Sequence, residues 1–266
     1  MSLLAVENLA THFLDKAPIK AVDGVSFKVK RGEIVALVGE SGSGKSITAL
    51  SILRLVPASG KIINGSIRLD GQELLHLSKK QMRSIRGRKI GLIMQDPLSA
   101  LNPLFKSGEQ ISEVMRCHFK MRNNEAKIRT KELMSKVRIT DVDRVYDAYP
   151  HELSGGLRQR ILIAAALAAE PKLLIADEPT TALDTTIQKQ ILEVLKQLRI
   201  DFNLSILLIT HDLGVVAEVA DRVYVMKSGK IVESATTSDL FRAPRHSYTK
   251  ALLEAMPRSN PDPGRP

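Results

Sequence analysis

The chain has 266 residues, 44% of them apolar, enough for one large domain or two small ones around a packed core. Its one cysteine, Cys117, excludes an internal disulfide and any multi-cysteine metal or iron–sulfur site built from this chain alone, and reads as a buried or semi-buried bystander. The net charge of +10 would suit nucleic acid, anionic lipid or an acidic partner, but the lysines and arginines are scattered as on an ordinary solvated surface.

The opening "MSLLAVENLATHF" has no basic stretch leading into an apolar core, so no signal peptide is expected and the chain is placed in the cytoplasm. "VSFKV" (25–29) and "SIRLD" (66–70) alternate apolar and polar residues, the pattern of strands with one wet face. "IVALV" (34–38), "IGLIM" (90–94), "LLIA" (173–176) and "ILLI" (206–209) are solidly apolar, as parallel strands covered on both faces should be. From about 97 to 160 the chain turns to polar helix-forming stretches such as "NNEAKIRTKELMSKV", which predicts a helical subdomain inserted into the core. The longest apolar run, "ILIAAALAA" (161–169), is far short of the roughly 20 residues of a bilayer span. In "TIQKQILEVLKQLRIDF" (186–202), Ile187, Ile191, Val194, Leu195 and Leu198 form a helical stripe. Helices alternating with buried runs indicate an α/β core with a largely parallel sheet. Residues 257–266, "PRSNPDPGRP", have little to bury and are expected to be disordered.

"GESGSGKS" fits the phosphate-loop template through Gly39, Gly44, Lys45 and Ser46. Such a loop turns the amides of Gly39, Glu40, Ser41, Gly42, Ser43 and Gly44 toward phosphate oxygens. Lys45 supplies a point charge to the terminal phosphates, and Ser46, opening a helix, can ligate Mg2+. Alone, this motif would also fit a kinase or a GTPase. "LLIADEP" (173–179) narrows the choice: a strand ending in Asp177 and Glu178 offers one carboxylate to a metal and a second to polarise an attacking water. In "LSGGLRQR" (153–160), Ser154 reads as an N-cap, and Gly155 and Gly156 bare the first amides of a helix, a second phosphate-binding surface. The economical explanation is two cassettes facing each other, each offering its helix start to the γ-phosphate held in the other's loop.

With these motifs the chain resembles ATP-binding cassette (ABC) proteins over essentially residues 3–257, "LSGGLRQR" being similar to that family's signature. The resemblance implies a P-loop NTPase core with a mostly parallel sheet, an antiparallel β subdomain and an inserted α-helical subdomain, the cassette filling 1–256. It implies that Gln95 in "IMQDP" senses metal and attacking water, that Asp184 in "TALD" reaches across a dimer, and that His211 contacts the γ-phosphate. Mg2+ would be held by Ser46, Gln95 and Asp177. An aromatic upstream of the loop stacks on adenine in this family; Phe13 is the candidate, a core aromatic being the alternative.

"QDPLSALNPL", "DEPTTALD" and the ending "IVESATTSDLFRAPRHSYTKALLEAMP" resemble ATPase subunits of bacterial dipeptide, oligopeptide and nickel importers. This implies an ATP-hydrolysing, peripheral subunit at the cytoplasmic face of the membrane, most naturally for peptides. Its partners would be two permease subunits, a second ABC ATPase, identical or related, and indirectly an extracytoplasmic solute-binding receptor. A nickel or metal-chelate importer is one rival. A soluble ATPase acting on ribosome or DNA is the other, although no nucleic acid is expected as partner, because such relatives carry two cassettes or a long coiled-coil insertion. Leu157 stands where the family usually has glutamine, "HSYT" replaces the usual His-Pro-Tyr, and the cysteine-containing tail of many peptide-importer subunits is not found.

Overall fold

The structure, a computed structural model, describes residues 2–13 and 18–256. The expected disorder of 257–266 therefore lies outside the described residues. Among the described residues ten strands appear in chain order: β1 (Ser2–Phe13), β2 (Ile19–Lys30), β3 (Ile34–Val38), β4 (Gly60–Leu69), β5 (Gln72–Glu73), β6 (Ile90–Ile93), β7 (Leu173–Asp177), β8 (Ser205–Thr210), β9 (Arg222–Lys227) and β10 (Lys230–Thr236). They form two sheets. One is antiparallel, in the order β2-β1-β4-β5; the other runs β10-β9-β3-β8-β7-β6 and is parallel throughout except at the β9/β10 pair.

The helices are α1 (Lys45–Ile52), α2 (Lys79–Ile85), α3 (Pro97–Ala100), α4 (Ser107–Phe119), α5 (Asn123–Lys136), α6 (Val142–Asp147), α7 (Gly155–Leu167), α8 (Thr185–Asp201), α9 (Leu213–Val219), α10 (Thr237–Arg242) and α11 (Ser247–Glu254). Between β6 and β7 only helices occur, as the polar stretch suggested, but the expected bound at 160 falls inside α7. A helix is a single hydrogen-bonded unit, so that boundary cannot cut it.

Alternation sorts the core strands onto two faces. Leu174, Ala176, Ile206 and Leu208 pack with Ile161, Ala164, Leu195 and Leu198 of α7 and α8. Leu173, Ile175, Leu207 and Ile209 point the other way, onto Ala49, Ile52 and Leu53 at α1 and the inner face of the antiparallel sheet at Val6, Val25, Phe27 and Ile67. The wet-face pattern of 25–29 is also observed, with Val25, Phe27 and Val29 buried and Ser26 and Lys28 exposed. Two expectations need correction. β6 ends at Ile93, and Met94 is 47% exposed, because the chain leaves the sheet there toward Gln95. Cys117 is exposed on α4 rather than buried: the buried stripe of that helix runs through Ile111, Ser112 and Met115.

Candidate functional site

The sheet collects the chemistry at one edge. Gly39 follows β3, Gln95 follows β6, Asp177 ends β7 and His211 follows β8, so all four leave the carboxyl ends of neighbouring parallel strands. The phosphate loop, 39–46, turns from β3 into α1. Gly44 has φ +105°, and a Cβ there would lie 2.1 Å from the Ala21 carbonyl oxygen on β2, so only glycine fits. A Cβ on Gly39 would lie 2.1 Å from the Met226 carbonyl oxygen on β9. The loop is thus pressed between two strands, and the Ser43 hydroxyl inside it is buried without a hydrogen-bond partner among the described residues.

Lys45 is 4% exposed and donates to the carbonyls of Gly39 (2.7 Å) and Glu40 (2.8 Å). Burial lowers its pKa, while Glu178, Asp177 and Glu40 pull it back up. Ser46 Oγ donates to Asp177 Oδ1 at 3.1 Å. Burial holds the Asp177 carboxyl above the usual carboxylate range; Ser46 and Lys45 oppose that shift, and Glu178 adds to it.

Glu178 is the hub. Its Oε2 accepts from Gln95 Nε2 (3.1 Å) and Thr181 Oγ1 (2.8 Å), and its Oε1 lies 3.1 Å from His211 Nδ1. The backbone there is left-handed, φ +48°, rare for a residue with a side chain, and the Glu178 amide donates to Ile209 O at 2.8 Å. The carboxylate is thereby aimed along the strand edge. Gly39, Glu40, Ser41, Gln95, Glu178, Thr181 and His211, together with Leu252 of α11, line one cleft of about 460 Å3. A phosphate cradle, a lysine, a hydroxyl–carboxylate pair and a second carboxylate with three side-chain partners can together hold a nucleoside triphosphate and polarise a water beside it.

The other sequence candidates do not line this cleft. Ser154 caps α7, accepting from the Leu157 amide at 3.4 Å, and Gly155 and Gly156 open that helix. A Cβ on Gly156 would lie 2.8 Å from Ile187 Cγ2, so this glycine also permits close approach of α7 and α8. Asp184 is exposed and caps α8 through the Ile187 amide at 2.9 Å. Phe13, half-buried at the end of β1, pairs with Gly60 of β4 and covers it, on the hairpin whose other strand presses Gly44. Three contributors escaped the set of site candidates. Thr181 is signalled only by a hydroxyl three residues after Glu178; Tyr248 lies in "HSYT", which the sequence marks only by its departure from His-Pro-Tyr, and Leu252 carries no signal.

Comparison with known proteins gives the family. Residues 22–181 match the ABC transporter family, and residues 232–265 match the C-terminal region of oligopeptide/dipeptide transporters. The oligopeptide transport ATP-binding protein AppD of Bacillus subtilis (strain 168) is 55% identical over 258 residues, covering 96% of this chain and 79% of AppD. OppD of the same organism is 51% identical over 257 residues, covering 96% and 72%. Among solved structures, the dimeric post-hydrolysis state of the cassette MJ0796 bound to ADP and Pi superposes with TM-score 0.78 at 29% identity, covering 88% of this chain and 98% of that one. The chain belongs to the ABC transporter family, as one of its ATP-binding, ATP-hydrolysing subunits.

Proposed function

We propose that this chain energises a bacterial importer of di- and oligopeptides from the cytoplasmic face of the membrane. The match of residues 232–265 to the peptide-transporter C-terminal region carries the reading, and the AppD and OppD relatives support it. No helix among the described residues is long and apolar enough to cross a membrane, so transport would need separate spanning subunits. The partners proposed are two permeases, a second ABC ATPase and, indirectly, a solute-binding receptor. Leu98, Leu104 and Phe105, just after Gln95, are all more than half exposed and suit a permease loop. The division proposed is one cassette over 1–256, with helices from about 97 inserted.

In the mechanism proposed, Lys45 and the loop amides after Glu40, whose own amide is taken by the Tyr248 hydroxyl, hold the phosphates of ATP, and Phe13 stacks on adenine. The donor set fits Mg2+: Ser46 Oγ, Gln95 and the single carboxylate of Asp177 leave room for phosphate oxygens and water, as that ion prefers. When bound, Mg2+ would neutralise charge on the phosphates. Glu178 takes the proton of the attacking water as its oxygen bonds to the γ-phosphorus and ADP departs. Gln95 and Thr181 fix the carboxylate, and His211 holds the γ-phosphate. Ser154, Gly155 and Gly156 serve the loop of the opposing cassette, with Asp184 reaching across.

The test is to tag the chain in its own cell, solubilise membranes gently and identify what co-purifies by mass spectrometry. Two permeases, a second cassette and a receptor whose bound ligand is a peptide are expected. Ribosomal partners without permeases, or a receptor carrying metal, would overturn the assignment.

A further inference from the structure

Helix α11 reaches the phosphate loop through a contact that the chemistry above does not use. The contact is built in steps. Glu233 on β10 accepts hydrogen bonds from the amides of Arg245 (2.8 Å) and His246 (2.9 Å), fixing the segment before the helix. His246 Nδ1 accepts from the Tyr248 amide at 3.1 Å and caps α11. The Tyr248 side chain is buried, with Lys227 Nζ 4.6 Å from its ring centroid. Its hydroxyl oxygen accepts from the Glu40 amide at 3.0 Å, across 208 residues of sequence.

The backbone of Glu40 is the point from which the loop's shape is held. Its carbonyl accepts from the Ser43 amide (3.2 Å) and from Lys45 Nζ (2.8 Å), while its amide is taken by Tyr248. Both backbone polar groups of Glu40 are therefore held by protein groups, so its amide, expected from the sequence to face phosphate, is already taken, and the amides after it are left to turn toward phosphate. Without the hydroxyl, a partly buried donor loses its partner and the loop gains conformations that ATP must then remove on binding.

We propose that Tyr248 is a positioning residue for the phosphate loop, through which the C-terminal segment 232–256 sets the affinity for ATP. The proposal rests on the reading of 39–46 as the ATP site.

Tyr248→Phe in the full chain is the test, since phenylalanine keeps the ring, its burial and the Lys227 contact. Phosphate release is followed against ATP concentration, with thermal melting and amide hydrogen exchange of the nucleotide-free protein alongside. The KM for ATP is expected to rise about three- to tenfold, the factor for one neutral hydrogen bond. The kcat is expected to stay within about twofold, because no group at Glu178 has moved. Exchange should quicken in 39–44 but not in β3 or α8. An unchanged KM overturns the proposal, and so does a lowered melting temperature with KM and loop exchange unmoved, which would make the tyrosine an anchor for α11 only. Lys45→Ala, measured in parallel, separates the two readings: parent-like hydrolysis there would remove the ATP-site assignment itself, whatever Tyr248→Phe does.

Discussion

Glu178→Gln isolates basicity from shape. The carboxylate accepts from Gln95 Nε2 and Thr181 Oγ1 through one oxygen and faces His211 Nδ1 at 3.1 Å through the other. A glutamine in the same place keeps a carbonyl for Gln95 and Thr181 and turns its NH2 toward the imidazole, so the hub retains its geometry. What it loses is a group able to take a proton from water. Positioned general bases contribute about 100- to 10,000-fold, or about 2.7 to 5.4 kcal/mol of barrier at 1.36 kcal/mol per tenfold. ATP binding should hold or tighten, since a negative charge is removed from beside the phosphates. The assay is single-turnover phosphate release on the purified variant, with a binding titration to show that the site is filled. Hydrolysis within about threefold of the parent would refute the assigned role, because a filled site and an intact hub would then be turning over without the base.

Asp177→Asn should raise the melting temperature of the nucleotide-free protein at neutral pH while abolishing Mg2+-dependent turnover. Burial raises the folded-state pKa of this acid, so the native state binds its proton more tightly than the unfolded chain does; stability falls as pH rises through the window between the two values and stays lower above it. The parent's melting temperature should therefore climb on acidification through that window more than the variant's, and equal slopes would contradict the burial argument. Gly44→Ala should cost more than about 2 kcal/mol in urea unfolding and weaken ATP binding, because strained φ combines with a backbone clash. Gly42→Ala, with φ +78° and nothing within 4 Å of its Cβ, should cost only about 1 kcal/mol. Leu208→Ala, fully within the core between β8 and the helices, should destabilise by about 2 to 5 kcal/mol without changing the KM for ATP.

What the sequence makes legible is what local pattern controls. The runs at 34–38, 173–176 and 206–209 declare themselves because both faces of β3, β7 and β8 are buried, and each has a site residue within two positions of its end: Gly39, Asp177 and His211. Strand order is not local: nothing in "IVALV" says that β3 lies between β9 and β8. β10 was equally silent, its residues exposed or half-buried with no clean alternation. Tyr248 stands in "HSYT", but nothing in that motif says which residue it meets until the fold brings it to Glu40. The glycine of the signature shows a different limit. Its spacing points to bared amides, whereas its packing against Ile187 belongs to a helix pair visible only once α7 and α8 meet.

The hydrogen bond from Gln95 to Glu178 closes 83 residues of chain to 3.1 Å, and it does so at a particular place. β6 and β7 are parallel neighbours, so the helices between them leave from the reactive edge of the sheet and return at the opposite edge. Their outgoing end is tied to the chemistry at 95, while their return leg is packed into the core through α7. Energetic coupling across such a tie is reciprocal: whatever factor a partner on these helices contributes to ATP affinity, ATP must contribute to that partner's affinity. For a partner docked on these helices, as proposed above, the single tie at Gln95 would carry the partner's state to the nucleotide and the nucleotide's state back to the partner.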